Sequence, residues 1–247
     1  MNPIQVVAFS PHPDDAELYC AGTLQALAHA GYRTGIIDVT RGELSTRGDL
    51  ATRAQETAAA TRVLGLAARA NLEIPDGDIV NSPEHRLRAV RLLRAWRPAM
   101  VFLPYPVDRH PDHGNTSVLV REAVFAAGLA KIATDVDGVA QAPHRPSKMW
   151  YYMLSEDFTP QVIVDVSATQ EVKEEAIRCY ATQFWTGAGD AADASAPQTY
   201  ISSQAFMESL RGRARRLGFL IGTEYGEGFI AVQPLGVRAP TLLDFLP

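Results

Sequence analysis

The sequence predicts an α/β fold in which helices cover both faces of a mostly parallel sheet. In the first half of the chain, short runs rich in β-branched residues alternate with longer segments whose apolar residues recur at helical spacing. The resulting β-α-β-α-β-α-β-α order needs crossover helices, and such connections produce parallel strands. We expect one domain over residues 1–247, with an α/β core of parallel strands at about 1–130 and an irregular α+β part at about 131–247.

Turn and capping residues give the bounds of these elements. Strands are predicted at residues 4–9, 35–40 and 99–103, and helices at residues 16–30, 49–64, 82–96 and 112–128. Gly31 and Gly65 provide C-terminal stops for two helices, and Pro83 is typical of a first helical position. Asp112 is expected to cap the helix that begins beside it. The β-α order implies a third strand, without stated bounds, between the helices at residues 49–64 and 82–96, so the strand at residues 99–103 is the fourth.

The second half has a less regular pattern. Strands are predicted at residues 148–154 and 161–166, and residues 167–170 resemble a capping box that opens a helix ending near residue 183. A basic helix at residues 206–217 is interpreted as solvated or facing another subunit. Its arginines are Arg211, Arg213, Arg215 and Arg216. Residues 186–197 lack an apolar anchor, which predicts a mobile surface loop that can serve as a lid.

Composition and charge disfavour several classes of protein. Hydrophobic residues make up 47% and charged residues 21% of the chain, as in ordinary globular proteins. The net charge of -5 disfavours a nucleic-acid partner, which normally requires a basic patch. Because we find no basic leader and no apolar run of about 18 residues, we expect a cytoplasmic protein without a membrane partner. Cys20 and Cys179 are expected to be buried thiols.

Two loops share the triplet His-Pro-Asp. Residues 12–15 (HPDD) follow the first strand, and residues 110–113 (HPDH) follow the fourth. A single triplet has a simple alternative explanation, a strand-to-helix turn in which proline fixes φ and aspartate caps the helix. Two copies at carboxyl ends of strands favour a shared site instead, because ligands of open α/β sheets bind at those ends.

The spacing of residues in these loops suits a metal site. His12 and Asp15 are three residues apart on one turn entering a helix, so both can face one point. His113 begins a distant helix and completes the set if the two loops are neighbours. Catalytic zinc typically has three protein ligands and an open position for water. Nitrogen and oxygen ligands without a thiolate suit Zn²⁺, with Fe²⁺ as the alternative.

The remaining polar residues of the two loops suit hydrolysis. Asp14 lies beside the metal ligands and can accept a proton from water activated by the metal. His110 can donate to the developing oxyanion or to a leaving amine. Asp112 can hold the His110 ring in one tautomer. A plain helix cap is the alternative role for Asp112, and the two roles are compatible.

These motifs resemble the PIG-L/LmbE-like family of zinc N-acetylglucosaminyl deacetylases. The resemblance covers most of the chain and is specific in its motifs. They are residues 11–15 (PHPDD), 40–43 (TRGE), Arg53 with Glu56, residues 74–77 (IPDG), 109–115 (RHPDHGN) and 225–229 (YGEGF).

The resemblance implies a Rossmann-like fold and assigns roles to individual residues. It places zinc on the three ligands inferred from spacing, with Asp14 as general base and His110 as the group that stabilises the oxyanion or acts as acid. It also implies that Arg53 and Asp76 contact sugar hydroxyls. Some relatives place a tyrosine near the metal from the region corresponding to residues 186–205. Tyr200 is the nearest candidate here, and we assign no lid residue.

Within the family, residues 104–115 (PYPVDRHPDHGN) and 151–153 (YYM) most resemble the bacillithiol-biosynthesis branch. Those enzymes deacetylate N-acetylglucosaminyl L-malate, and the resemblance implies a homo-oligomer, commonly a hexamer. Malate is a dicarboxylate, so we expect a cationic partner for it. Arg109 is the first candidate because a guanidinium can bind a carboxylate bidentately. An ion pair between Arg109 and Asp108, or another structural acid, is the alternative.

Rival functions remain open on the sequence alone. One is a non-catalytic metal- or sugar-binding protein, although Asp14 and His110 would then have no purpose. A two-metal phosphoesterase needs more ligands than the two loops offer, and a dehydrogenase lacks its Gly-x-Gly-x-x-Gly motif after the first strand. The last rival keeps the chemistry and changes the conjugate to a mycothiol-type, chitobiose or lincomycin-type substrate.

Overall fold

The computed structural model describes residues 3–187, 197–239, 241 and 244. The strands in these ranges are β1 (Val6–Ser10), β2 (Thr34–Asp38), β3 (Ala68–Asn71), β4 (Met100–Pro104), β5 (Asp135–Val136), β6 (Val139–Ala140), β7 (Lys148–Tyr152), β8 (Val162–Asp165) and β9 (Gly226–Ala231). The α-helices are α1 (Asp15–Tyr19), α2 (Ala21–His29), α3 (Leu50–Val63), α4 (Pro83–Trp96), α5 (Pro111–Ala127), α6 (Gln170–Arg178) and α7 (Gln204–Leu220). A short 3-10 helix covers Tyr200–Ser202.

A seven-stranded sheet in the order β3-β2-β1-β4-β7-β9-β8 forms the centre of the fold. Neighbouring strands from β3 to β7 are parallel, whereas β9 runs antiparallel to both β7 and β8. Strands β5 and β6 form a separate antiparallel hairpin. The predicted mostly parallel, Rossmann-like sheet is confirmed. It continues past residue 130, because β7, β8 and β9 extend the same sheet.

Alternation along β1 divides the core between the two faces of the sheet. Val7 and Phe9 pack with residues of α4 and α5, whereas Val6 and Ala8 pack with residues of α1, α2, α3 and α6. All four side chains are buried. Because both faces of the strand are covered, its sequence from Val6 to Phe9 is continuously apolar and shows no polar alternation.

The order of strands reverses at β1. The chain moves from β1 outward to β2 and β3, then returns to β4 on the other side of β1. The register places Val6 opposite Met100 and Ala8 opposite Phe102. The loops after β1 and β4 therefore leave the sheet side by side. In open α/β sheets, a crevice at such a reversal is where ligands bind.

The helix predicted at residues 16–30 is two helices. The backbone of Cys20 leaves the helical region, with φ at -143°, and separates α1 from α2. The Glu227 carboxylate on β9 accepts hydrogen bonds from the backbone N–H groups of Gly22 and Thr23, at 3.0 and 2.8 Å. These bonds satisfy donors that a helix start leaves free. Lys173 Nζ on α6 lies 2.7 Å from the same carboxylate.

The capping box expected at residues 167–170 is wrong. Helix α6 begins at Gln170 after Thr169, which makes no side-chain capping bond, and the helix ends at Arg178. The Ser167 hydroxyl instead accepts from the backbone N–H of Tyr225 at 3.1 Å. It therefore stabilises the entry into β9, a strand whose bounds the pattern did not give.

Two further expectations about side chains need correction. Cys20 is buried as expected, but Cys179 at the end of α6 is only half-buried. In the basic helix, Arg213 donates to the carbonyl of Leu154 and forms an ion pair with Asp157 at 2.9 Å. Arg213 thus stabilises the segment after β7 and is not simply solvated or available to another subunit.

The loop expected at residues 186–197 lies mostly outside the described residues, because the structure does not describe residues 188–196. Among the residues that are described, no helix has the length and apolar character needed to cross a membrane.

The Glu227 carboxylate offers a test of this packing. We expect Glu227→Ala to lower the free energy of unfolding by about 3 kcal/mol, because it leaves the Lys173 ammonium buried without a partner. Urea denaturation measures this loss. Glu224→Ala is the control, since the Glu224 side chain is 60% exposed and should change stability little. Equal effects of the two substitutions would contradict a structural role for the buried pair.

Candidate active site and metal centre

The two His-Pro-Asp loops meet at the reversal of strand order. Residues 12–15 lead from β1 into α1, and residues 110–113 lead from β4 into α5. The ring centroids of His12 and His113 are 5.6 Å apart, and those of His12 and His110 are 4.8 Å apart. Parallel pairing of β1 with β4 thus brings together two motifs that are distant in the sequence.

The three sequence-predicted metal ligands converge on one point. Asp15 Oδ2 lies 3.1 Å from His12 Nδ1 and 3.4 Å from His113 Nε2. One ligand atom from each residue lies within 4.8 Å of the other two, as a shared ion requires. His12, His110 and Asp112 satisfy the same distance test among the described residues. Geometry alone therefore offers two overlapping sets of ligands.

The hydrogen bonds of the ring nitrogens that point away from Asp15 favour the set of His12, Asp15 and His113. His12 Nε2, which points away from Asp15, lies 3.1 Å from Asp76 Oδ1 and 3.4 Å from Asp112 Oδ2. His113 Nδ1 lies 2.7 Å from Asp108 Oδ1. Histidines that ligate a metal usually donate their second ring N–H to a carboxylate or carbonyl. In both rings a carboxylate outside the set holds one nitrogen, and the other nitrogen is directed at Asp15, so the donor set fits a divalent cation.

The charges around the site also favour a cation. Burial raises the pKa of the Asp15 carboxyl, but the neighbouring His113 and His12 hold it well below its usual range. Burial alone lowers the pKa of His113, but the carboxylates of Asp15 and Asp108 overcome this effect and raise the pKa to about 9. Carboxylates thus dominate the electrostatic potential at the two imidazoles, and such a potential attracts a positive ion.

Asp14 has an unusual backbone and a perturbed carboxyl. Its φ is 135°, a value that residues other than glycine rarely adopt, so the loop holds it under strain. Burial raises the pKa of its carboxyl to about 7, against the opposing effect of the Arg53 guanidinium. Arg53 Nη1 lies 2.7 Å from Asp14 Oδ2. A carboxyl with a pKa near neutrality is suited to accept and return a proton.

His110 is a neutral donor in this arrangement. It is the N-cap of α5, and its Nδ1 accepts from the backbone N–H of Asp112 at 3.3 Å. The ring proton of the neutral form therefore lies on Nε2. Burial lowers the pKa of His110, and the nearby His12 and His113 lower it further. The His110 ring stacks on His113 with centroids 4.8 Å apart.

Asp112 does not cap α5, so that expectation is wrong. It is the second residue of the helix, and the cap is His110. The Asp112 carboxylate instead accepts from the backbone N–H of Gly77 at 2.8 Å and contacts His12. Its backbone N–H, not its carboxylate, selects the His110 tautomer. The loop after β3 lies over the start of α5. Its Gly77 peptide binds the Asp112 carboxylate, which is therefore directed away from the helix end.

The three residues expected to bind substrate lie at the same end of the sheet. They differ in how exposed they are and in how many of their polar atoms already have partners within the protein. Arg53 is buried, and its guanidinium donates hydrogen bonds to Asp14 and to the Pro13 carbonyl. Asp76 accepts from the backbone N–H of Leu44 at 2.9 Å and contacts His12. Arg109 is exposed and is the freest of the three.

Arg109 makes few contacts within the described part of the chain. Its Nε donates to Ser155 Oγ at 3.3 Å, and its guanidinium carbon lies 5.6 Å from the ring centroid of Tyr200. Asp108, the alternative partner considered for Arg109, binds His113 and the backbone of Ser155 instead. The terminal Nη groups of Arg109 thus remain available to a ligand.

Two adjoining cavities occupy this end of the sheet. The larger, of about 440 Å³, contains the His12, Asp15, His113 set together with Asp14. The second, of about 410 Å³, lies beyond it against α7. Both cavities are lined by a common group of residues, Tyr19, Arg109, Ser155, Tyr200 and Phe206. Cavities of this size accommodate small-molecule ligands, and two in sequence suit a substrate with two parts.

Sequence reasoning did not identify two structural roles at the site. The contact of Asp108 with His113 was missed, although an acidic residue five positions before a ligand histidine in the same loop was a signal for it. Asp76 was assigned to sugar hydroxyls, whereas in the structure its carboxylate contacts the His12 ring. A contact across 64 residues leaves no local pattern in the sequence.

Comparisons with known proteins identify relatives of this chain. The PIG-L family model, described as GlcNAc-PI de-N-acetylase, matches residues 7–124, which include both His-Pro-Asp loops. A diacetylchitobiose deacetylase of Thermococcus kodakarensis is 29% identical over 190 residues, covering 73% of this chain and 70% of the relative. A probable N-acetyl-alpha-D-glucosaminyl L-malate deacetylase of Bacillus anthracis is 29% identical over 199 residues, covering 75% and 84%.

A solved structure extends the similarity to the whole chain. A conserved protein of Thermus thermophilus superposes with a TM-score of 0.83 and is 34% identical, covering 96% of this chain and 98% of that one. Together with the family match and the two deacetylase relatives, this similarity accounts for the fold, the two loops and the residues that converge between them. Residues 7–124 of the chain match the PIG-L family model, its relatives include two deacetylases, and the chain is a hydrolase that acts on an amide bond.

Proposed function

We propose that this protein is a metal-dependent deacetylase of an N-acetylglucosamine conjugate, with N-acetylglucosaminyl L-malate of bacillithiol biosynthesis as its substrate. The products would be glucosaminyl malate and acetate. The observation that carries the proposal is the convergence of His12, Asp15 and His113 beside the buried carboxyl of Asp14. Three ligands with a proton acceptor next to them are what amide hydrolysis by a metal site requires.

The metal in this proposal is Zn²⁺, with Fe²⁺ as the alternative, held by His12, Asp15 and His113. A divalent ion bound there supplies a Lewis acid for the acetamide carbonyl and makes water more acidic. Nitrogen and carboxylate donors without a thiolate, and ligand rings fixed by further carboxylates, support this choice.

Asp14 is the proposed general base. Its carboxyl accepts the proton of the attacking water, and it can return that proton to the glucosamine nitrogen as the amide bond breaks. Burial keeps the carboxyl basic enough to take the proton, while Arg53 at 2.7 Å keeps it from being permanently protonated. The strained backbone of Asp14 fixes the direction of the side chain relative to the ligands.

His110 is the proposed donor to the oxyanion. Its Nδ1 accepts from the peptide of Asp112, so the Nε2 proton is available to the oxygen of the tetrahedral intermediate. Such a donor contributes about 3 kcal/mol to the stability of a transition state in related chemistry. Protonation of the leaving amine by His110 is the alternative to proton return by Asp14.

The malate part of the substrate is proposed to lie against Arg109. Arg109 lines both cavities and its Nε is the atom bound to Ser155, so a carboxylate there can bind the guanidinium bidentately. In this arrangement the N-acetylglucosamine ring occupies the cavity with the ligands, and the aglycone extends into the second cavity. The named Bacillus anthracis relative supports the same substrate.

Diacetylchitobiose is the second candidate substrate. The relative from Thermococcus kodakarensis carries that activity in its name, and the second cavity has aromatic walls in Tyr19, Tyr200 and Phe206. Sugar rings bind against such walls, so a second N-acetylglucosamine could occupy the position proposed for malate. The positive charge of Arg109 favours the malate conjugate over diacetylchitobiose as substrate, because malate is anionic and diacetylchitobiose is neutral.

Assembly and location complete the proposal. The resemblance to the bacillithiol-pathway enzymes implies a homo-oligomer, commonly a hexamer, and the proposed location is the cytoplasm. Light scattering on the purified protein would measure the mass of the assembly.

Asp14→Asn tests the assignment of the base. We expect kcat to fall by at least a hundredfold, on the order of the usual effect of losing a general base, while zinc binding stays at one ion per chain. The amide preserves the shape of the side chain but cannot accept a proton. Zinc content by atomic absorption and acetate release measure the two quantities. Near-normal acetate release by the zinc-loaded variant would show that Asp14 is not the base.

Arg109→Gln tests the aglycone. We expect KM for N-acetylglucosaminyl malate to rise roughly tenfold, the loss of one charged hydrogen-bonded contact, with little change for diacetylchitobiose or N-acetylglucosamine. Arg215→Gln is the matched control, since Arg215 is exposed and outside both cavities. If the unsubstituted enzyme deacetylates all three sugars equally, the malate proposal fails while the deacetylase proposal stands.

A further inference from the structure

Asp108 is a buried carboxylate next to the proposed site, and the proposed mechanism does not use it. It lies between β4 and α5, and only 1% of its side chain is exposed. No basic side chain other than a histidine pairs with it among the described residues. A buried carboxylate is costly unless hydrogen bonds compensate for its lost hydration, so its partners indicate its purpose.

Its two oxygens serve two different parts of the site. Oδ1 accepts from His113 Nδ1 at 2.7 Å and from the backbone N–H of His110 at 3.1 Å. Oδ2 accepts from the backbone N–H groups of Ser155 and Glu156, at 2.8 and 3.1 Å. The four donors match the number of acceptor positions on a carboxylate.

The Oδ1 side controls the ring of His113. A hydrogen bond to Asp108 keeps a proton on Nδ1, so Nε2 is the nitrogen whose lone pair is available to a metal once the ring is neutral. That nitrogen lies 3.4 Å from Asp15 Oδ2, on the side of the proposed metal. The bond also prevents rotation of the ring away from Asp15.

The Oδ2 side controls the segment after β7. Ser155, whose backbone N–H binds Asp108, accepts from Arg109 Nε through its hydroxyl. Ser155 also lines both cavities. One carboxylate therefore fixes a proposed metal ligand and the segment that orients the proposed malate-binding arginine.

We infer that Asp108 is a positioning residue that orients His113 toward the metal and couples it to the substrate-lining segment at Ser155. The inference rests on the proposed metal site. Asparagine in its place can present an acceptor to one side only, because its amide nitrogen is a donor and would oppose the donors on the other side.

Zinc affinity of the purified full chain tests this inference without relying on turnover. We expect Asp108→Asn to bind zinc roughly 10- to 100-fold more weakly in competition with a chromophoric chelator, the usual effect of removing a partner of a ligand histidine. Asp157→Asn is the matched control, because Asp157 lies in the same segment, is 73% exposed and pairs with Arg213 instead. The control should bind zinc as the unsubstituted chain does.

A double substitution separates positioning from a general effect on folding. If Asp108 acts through His113, Asp108→Asn should weaken zinc binding much less in a His113→Ala background than alone. Independent, additive losses would overturn the inference. Asp108→Glu keeps the negative charge and is the variant to measure if Asp108→Asn does not fold. Its zinc affinity is expected to lie between that of the unsubstituted chain and that of His113→Ala.

The outcomes distinguish the two proposals. A folded Asp108→Asn or Asp108→Glu variant with unchanged zinc affinity would overturn the positioning role and leave the proposed deacetylase intact. An unsubstituted chain that binds no zinc or iron would overturn the proposed function, and the inference with it.

Discussion

Hydrogen-bonded pairing between β1 and β4 is the constraint on which the site depends. The pairing places Val6 opposite Met100 and Ala8 opposite Phe102, so the loops that follow these strands leave the sheet together. Neither loop contains a complete set of ligands. The site is therefore a product of sheet topology, and any change that separated these two strands would divide His12 and Asp15 from His113.

Burial and charge compensation give the site its chemical character. Asp14 is buried against Arg53, which leaves its pKa at about 7, while Asp15 lies against two imidazoles that hold its pKa well below the usual range. Adjacent carboxyls in one loop thus acquire different properties. One is suited to transfer a proton and the other to remain an anionic ligand. Arg53, which is expected to contact sugar, also forms an ion pair with the proposed base.

The sequence was sufficient to predict features that depend on local pattern or on the ends of strands. Alternating apolar runs predicted the parallel sheet, and the two His-Pro-Asp loops predicted which residues would meet. It did not predict contacts that depend on the direction of a side chain. Asp112 matched the pattern of a helix cap, yet His110 caps α5 because the Gly77 peptide from another loop takes the carboxylate. Nor did any local pattern reveal the contact between Asp76 and His12.

The central claim is that one divalent ion binds at His12, Asp15 and His113. Anomalous diffraction at the zinc edge from a crystal of the zinc-loaded protein tests it most directly. We expect one strong peak about 2.0–2.2 Å from a nitrogen of each histidine and an oxygen of Asp15. A peak held instead by His110 and Asp112, or no peak between the two loops, would contradict it.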